Sequence, residues 1–323
     1  MKIRLGWLAA ISLCTCSAIQ TASASDYPAK PITIISTSPP GGPIDVIVRP
    51  IAQRLGERLG QPVVVESHAG ANGAIASADV AKAAPDGYTL LVTYLAPVAI
   101  NPAMRSNLPY DSVRDFAPVT QLDSAALVML VRPDLPIHSI GELVNYAKAH
   151  PRRLTFGTSG PGSAGHLAGT LLGEETGIAL THVPYKGAGP ALTDLLGGHI
   201  DMAIIGLSGG MSYVKDGRLR AIGVTTLKRS KLLPDVPAVA DTVPGFDMDS
   251  WYGILAPAHT PGPIVRKLQR EISATLSEPA IEALLKSSGV EPLGSTPEEF
   301  GAKIKEEIAR WAPVVRRAGL SDK

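Results

Sequence analysis

Short apolar runs bounded by proline and glycine alternate along this chain with segments whose apolar positions recur every three or four residues. That is the pattern of buried strands joined by crossover helices in a mostly parallel sheet. In the first unit Ile32–Ile35 reads as a strand and Pro39-Pro40-Gly41-Gly42-Pro43 ends it. Ile44, Ile47, Val48, Ile51 and Leu55 then mark one stripe of a helix. Further strands are expected at Pro62–Glu66, of buried type, and at Tyr88–Thr93, around a small-sided helix at Ala74–Ala84, with Ser67–Gly73 as a loop. A loop from Tyr94 to Asn107 leads to an extended stretch within Asp115–Val131 that exceeds one ordinary strand. We read it as a strand that leaves the first sheet and enters a second.

The pattern then restarts. Ser139 precedes Glu142 at capping-box spacing and opens a helix to His150. Strands at Leu154–Thr158, Leu180–Val183, Asp201–Ile205 and Ala221–Thr225 alternate with helices at Ser163–Gly177, Gly189–Leu196 and Ser208–Asp216. A proline-rich connector, Pro234–Gly245, precedes a strand at Ser250–Pro257 and helices at Pro261–Leu276, Pro279–Ser288 and Pro297–Gly319, with Trp311 as core. The first unit has too few helices to cover its sheet, so the closing helices are expected to return to it. The expected fold is α/β, in two lobes with a cleft between them. Lobe 1 is residues 25–124 and 227–323, and lobe 2 is residues 125–226.

Charge and cysteine content narrow the setting. Lys2 and Arg4, the apolar stretch Leu5–Ala18 and Ala22-Ser23-Ala24 form a basic start, a hydrophobic core and an A-x-A site, so residues 1–24 read as a signal peptide. Cys14 and Cys16 both fall inside it, and neither has the preceding residue that a lipoprotein signal prefers. The exported chain then carries no thiol and no disulfide, which points to the bacterial periplasm. A formal net charge of +1 over 323 residues argues against a nucleic-acid binder. The seven histidines show no metal-ligand spacing.

Three glycine loops carry candidate chemistry. Gly41-Gly42 before the first helix, with Asp45 in its first turn, leaves N–H groups at the positive end of a helix dipole, where a carboxylate or phosphate can dock; an ordinary tight turn reads the same way. Gly160-Pro161-Gly162-Ser163-Ala164-Gly165 fits G-x-G-x-x-G after a strand, but the next strand ends at Thr181-His182-Val183-Pro184 without the acid that would hold a ribose. Its anion-binding half remains, with His166 one turn further on. Gly206-Leu207-Ser208-Gly209-Gly210 fits G-x-S-x-G, followed by Asp247 or Asp249 and His259 in hydrolase order. Too few strands follow it for a nucleophile elbow, and a glycine loop lining a cleft is the simpler reading.

Taken together, YPAKPITII, PPGGPIDV, RLGQPVVVE, AKAAPDGYTLL, TSGPGSAGHLAG, VPYKGAGPALTDLLGGHIDM, LPDVPAVAD and SWYGILAPAHTP resemble the Bug-type extracytoplasmic solute receptors of tripartite tricarboxylate transport systems, over Tyr27 to about Gly319. The resemblance implies a two-lobe periplasmic binding protein, type II-like, each lobe a central mostly parallel sheet flanked by helices. It would close on a small carboxylate and deliver it to a membrane permease. It implies ligand contacts from Gly41, Gly42 and Asp45, from Ser159, Ser163 and His166, and from Tyr185 with Lys186-Gly187. Thr93, Tyr94, Gly160 and Ser208 complete the candidate ligand-binding set. The chain departs from the family pattern at Thr37-Ser38, at Pro97 and Val98, and at Ile205, all in the expected pocket wall.

The expected function is reversible capture of a mono- or dicarboxylate, aliphatic or aromatic, by a monomer without cofactor, metal or catalysis. Its partners would be the ligand and, transiently, inner-membrane permease subunits. The ligand carboxylate would be met by N–H groups and hydroxyls at two opposed helix starts, Gly41-Gly42 and Ser159–Ser163, with Lys186 as the rival cation. An exported serine hydrolase using Ser208 and a carboxylate-sensing subunit of a signalling system are the alternatives.

Overall fold

The computed structural model describes residues 27–41, 43–151, 153–317 and 319–321, so the signal-peptide reading of residues 1–24 and the Gly42 candidate lie outside the described residues. The first lobe opens with β1 (Ile32–Ser36), α1 (Pro43–Leu59), β2 (Val63–Ser67), α2 (Ala74–Ala81), β3 (Thr89–Tyr94), α3 (Asn101–Met104) and β4 (Phe116–Gln121). The link β5 (Asp123–Ser124) leads to β6 (Leu127–Val131), α4 (Ile140–Ala149), β7 (Thr155–Thr158), α5 (Ala164–Thr176) and β8 (Thr181–Pro184). Then come α6 (Ala188–Leu196), β9 (Met202–Gly206), α7 (Leu207–Lys215) and β10 (Arg220–Val224). The chain ends with β11 (Tyr252–Pro257), α8 (Gly262–Leu276), α9 (Pro279–Ser287), β12 (Glu291–Pro292) and α10 (Pro297–Arg317).

Two five-stranded sheets result, ordered β2-β1-β3-β11-β4 and β8-β7-β9-β6-β10. The orders are equivalent. Each runs second, first and third local strand, then a strand arriving from the other lobe, then the fourth. Only the arriving strands, β11 and β6, are antiparallel to their neighbours. This is the two-lobe, mostly parallel architecture that the resemblance implied. The strand expected to leave one sheet for the other is β4 continuing through β5 into β6. The Ser139 cap is present: its hydroxyl accepts the Glu142 N–H at 3.2 Å, and the Glu142 carboxylate accepts the His138 N–H at 2.6 Å.

Three expectations change. β2 is an edge strand rather than a buried one, with Val64 46% exposed, because only β1 pairs with it. The Tyr94–Asn107 loop is largely helical turns, Ala96–Ile100 and α3, buried under α10. Their prolines, Pro97 and Pro102, sit at first-turn positions where a missing N–H is tolerated. The return to the first lobe, expected at residue 227, comes later. Leu233, Val236 and Ala238 bury with Leu130, Ile205 and Leu219 of the second lobe, Val224 donates to the Pro237 carbonyl at 2.9 Å, and Met248 donates to Thr225 at 2.7 Å. That segment therefore covers the second sheet, and β11 is the strand that crosses back.

α8 and α9 pack on α1, and α10 packs on β4 and α3, so the closing helices do cover the first sheet. α10 also reaches the second lobe, where Arg317 pairs with Glu174 of α5 at 2.7 Å and Arg310 with Asp247 at 3.4 Å.

The two crossings lie side by side. Asp123, fully buried between them, accepts the Tyr252 N–H at 2.8 Å through Oδ1, while its Oδ2 has no partner among the described residues. Burial, with Asp249 nearby, raises its pKa well above the ordinary 3.8, against the opposing Tyr252 N–H. A carboxyl whose folded pKa is raised favours folding fully below 3.8, and that contribution is lost as pH rises toward the folded value. Asp123→Asn keeps the Oδ1 acceptor without the ionisation. Thermal unfolding should show a Tm gain of the variant over the wild type that is largest at pH 8–9 and shrinks toward pH 4; a pH-independent difference would contradict this account.

Candidate ligand-binding cleft

In an open parallel sheet the loops that follow the carboxyl ends of the strands line the ligand crevice. Both sheets obey this toward one cleft of about 480 Å³. Ser38 follows β1, Asn72 follows β2, and Tyr94 ends β3 with Leu95 next in the first lobe. Ser159 follows β7, Gly187 follows β8, and Gly206 ends β9 with Ser208 just beyond it in the second. The arriving strands enter by their other ends, so Leu127, Ser250 and Tyr252 form the back wall at the crossings. None of the described side chains that line the cleft is charged.

The second lobe turns three helix starts to this space. Ser163 caps α5, its hydroxyl accepting the His166 N–H at 3.3 Å, which leaves the O–H free to donate into the cleft. Gly187 precedes α6 with φ +118°, and Gly206 precedes α7. Ala164, Gly165, Ala188, Ser208 and Gly209 line the cleft within the first turns. Among the described residues nothing takes the N–H groups of Ala164, Gly165, Ser208 or Gly209. Gly165 is there for packing, because a Cβ would stand 2.1 Å from the Ile204 carbonyl oxygen on β9. That contact brings the α5 start close over the sheet.

The first-lobe helix start behaves differently from expectation. The Gly41 N–H, expected to grip ligand, donates to Asp45 Oδ2 at 2.8 Å, which also accepts from Arg49 Nε at 3.0 Å. Asp45 is 6% exposed and absent from the cleft lining. Burial opposes its ionisation, but Gly41 and Arg49 outweigh it and hold the pKa below the usual value. Asp45 thus ties its own loop and lies outside the cleft lining. Gly41 lines an adjoining space of about 410 Å³ with Ser208, Gly289 and Tyr252. A Cβ on Gly41 would meet nothing within 4 Å, so its requirement for glycine is the φ of +76° rather than close approach.

Other candidates separate. Tyr94 is in the cleft, its hydroxyl donating to Asn72 Oδ1 at 2.8 Å; burial first, then Tyr110, pushes its pKa up to about 12. Thr93, on the preceding position of β3, is fully buried and outside the lining. Gly160 has φ +124° and donates to Thr158 Oγ1 at 3.2 Å, which shapes the loop without lining the cleft. Tyr185 donates to Asp194 Oδ2 at 2.7 Å, its pKa pushed up to about 12 by burial and then by Asp194, and lies outside the lining. Lys186 is exposed and also outside it.

His166 is turned away as well. Its Nδ1 accepts the Gly162 N–H at 3.1 Å, and its ring stacks on His182 with centroids 3.9 Å apart. The pair borders a separate depression of about 380 Å³ with Phe156 and Glu174. Burial lowers the pKa of His166, and burial followed by His166 lowers that of His182 to about 4. The hydrolase residues are dispersed: Asp249 accepts from Ser124 and Ala125, Asp247 from Leu227, and exposed His259 follows β11 at the end remote from Tyr252.

Sequence reading missed Asn72, Ser250 and Tyr252. Asn72 had a signal, since it sits between glycines and takes φ +55° in a run of left-handed residues from Gly70 to Gly73. Two of the family departures, Ser38 and Ile205, do line the cleft, whereas Pro97 and Val98 are buried in the turns behind it.

A family model described as tripartite tricarboxylate transporter family receptor matches residues 47–320. Protein BugT of Bordetella pertussis (strain Tohama I) is 37% identical over 311 residues, covering 96% of this chain and 95% of its own. A protein from R. palustris solved with adipate is 36% identical, with a TM-score of 0.80 over 91% of this chain and 99% of that one. MatC from Rhodopseudomonas palustris with bound malate is 32% identical, with a TM-score of 0.76 over 90% and 100%. Matches of this length and identity, on a cleft built at the carboxyl ends of two equivalent sheets, make the chain a member of the tripartite tricarboxylate transporter receptor family of solute-binding proteins.

Proposed function

We propose that this chain reversibly captures a small organic carboxylate in the cleft, in the periplasm, and passes it to inner-membrane permease subunits of a tripartite tricarboxylate-type transporter, acting as a monomer and performing no chemistry. The observation that carries this reading is the convergence of the α5, α6 and α7 starts on an uncharged cleft. Helix-start N–H groups and the Ser163 hydroxyl suit a carboxylate, and they avoid the cost of desolvating an opposed cation. The adipate- and malate-bound relatives support the ligand class. Among the described residues no helix is long and apolar enough to cross a membrane. The two crossings are natural hinges for closure of the lobes.

A thermal-shift screen of organic acids tests the reading. A true ligand at 100 times its Kd should stabilise the chain by about 2.7 kcal/mol. A panel without any stabilising acid would overturn this reading, and turnover of generic esters lost in Ser208→Ala would replace it with the hydrolase one.

Charge-assisted hydrogen bonds contribute about 1.5–3 kcal/mol each, so Ser163→Ala should weaken binding roughly ten- to a hundredfold by calorimetry. Lys186→Ala should change affinity less than about twofold. The reverse pattern would mean an ordinary ion pair.

His166 shapes the Gly160–Ser163 loop only while Nδ1 is unprotonated, because protonation turns an acceptor into a donor facing the Gly162 N–H. Its pKa is lowered from 6.5, so the bond is intact at pH 7.5 and is lost as pH falls through the depressed value, where His182, and Glu174 with its Arg317 partner, are the neighbouring groups. His166→Asn supplies an amide oxygen acceptor that does not titrate. Affinity measured from pH 7.5 down to 4.5 should fall less steeply in the variant than in the wild type; identical acid limbs would show that His166 does not position the loop.

A further inference from the structure

We infer that the ligand carries a single carboxylate, gripped by the second lobe, and meets the first lobe with an uncharged hydrogen-bond donor such as a hydroxyl or amide, with an apolar body between. This deepens the carboxylate-capture reading and rests on it.

The two ends of the cleft differ in what they offer. The second-lobe end presents donors: the N–H groups of the α5 and α7 starts and the Ser163 hydroxyl. The first-lobe end presents, besides the Ser38 hydroxyl, an acceptor. The Tyr94 proton is committed to Asn72 Oδ1 at 2.8 Å, and Asn72 is itself held by Asn101, its Nδ2 donating to Asn101 Oδ1 at 3.1 Å and its carbonyl accepting from Asn101 Nδ2 at 3.0 Å. What the phenol shows the ligand is therefore oxygen lone pairs, and its pKa of about 12 keeps the proton in place. A second carboxylate placed there would meet lone pairs, whereas a hydroxyl or N–H would be matched.

Charge reinforces the asymmetry. In the first lobe Asp45 already takes the Gly41 N–H, and its Oδ1 is buried without a partner among the described residues. No described cationic side chain lines the cleft to offset another anion. Between the ends lie Ile44, Leu95, Ile100, Leu127 and Ile205, a wall that favours methylene or ring carbons. Ile205 stands where the sequence already departs from the family pattern.

The test is a calorimetric series on the mature chain at pH 7.5. It compares α,ω-dicarboxylates, unsubstituted monocarboxylates and ω-hydroxy monocarboxylates of four to eight carbons, in wild type and Tyr94→Phe. At the best-fitting length the hydroxy acid should bind at least about fivefold tighter than the plain acid, and the dicarboxylate at least about tenfold weaker than the hydroxy acid. In Tyr94→Phe the plain acid should keep its affinity within about threefold while the hydroxy-acid preference disappears. A dicarboxylate that matches or exceeds the hydroxy acid at its best length overturns the inference and leaves carboxylate capture standing, as does a hydroxy-acid preference that survives Tyr94→Phe. Absence of binding by every acid in all three series overturns both.

Discussion

A reciprocal exchange of carboxylates holds the two crossings of this molecule together. Asp123 on the outgoing segment accepts the Tyr252 N–H of the returning one, and Asp249 on the returning segment accepts the Ala125 N–H and the Ser124 hydroxyl of the outgoing one, the last two at 3.0 Å. Buried carboxylates are weak evidence for stability, since desolvation opposes them. Their consequence here is register. A one-residue slip of either segment would break both sets of bonds and turn the adjoining side chains to the opposite face. Leu127, Ser250 and Tyr252, which back the cleft, sit within a few residues of these bonds, and Trp251 is buried edge-on against Phe300 at 5.2 Å. Whatever the lobes do on closing, they do about this pair of segments.

The lobes are equivalent in strand order but not in chemistry. Both sheets place loops at the carboxyl ends of their strands, and the second lobe turns the starts of α5, α6 and α7 to the cleft. In the first lobe an acid four residues on, Asp45, takes the N–H that a ligand would need. One side chain thus ties this loop to its own helix.

In the proposed mode of capture, holding an anion by dipoles rather than by a lysine or arginine would also have a kinetic logic. A buried ion pair is strong only when its geometry is excellent, and it loses that strength sharply when a partner moves. Backbone N–H groups fixed by α5, α6 and α7 need no reorganisation when the ligand arrives or leaves. The glycine contact of Gly165 with Ile204 keeps the α5 start seated on β9 and so keeps those donors aimed. Reversible delivery to a second protein is easier from such a site than from a desolvated salt bridge.

Local physics was legible in the sequence. Apolar periodicity, proline and glycine punctuation and the Ser139 cap located nearly every strand and helix, because each is decided by residues within one or two turns of itself. The glycine loops at Ser159–Ser163, Gly187 and Gly206–Ser208 were found for the same reason, and they do line the cleft. What the sequence could not decide was direction and company. Asp45, His166 and Tyr185 stand at the right places in the chain, but each turns to a partner that local pattern does not reveal: the Gly41 N–H, the Gly162 N–H with the His182 ring, and Asp194. Asn72, Ser250 and Tyr252 entered the cleft only because segments far apart in sequence meet there. The segment after β10 stayed with the second sheet because Leu233, Val236 and Ala238 had an apolar surface to cover, a fact of packing between elements. Periodicity reports which face of an element is buried, and only tertiary contact decides what that face meets.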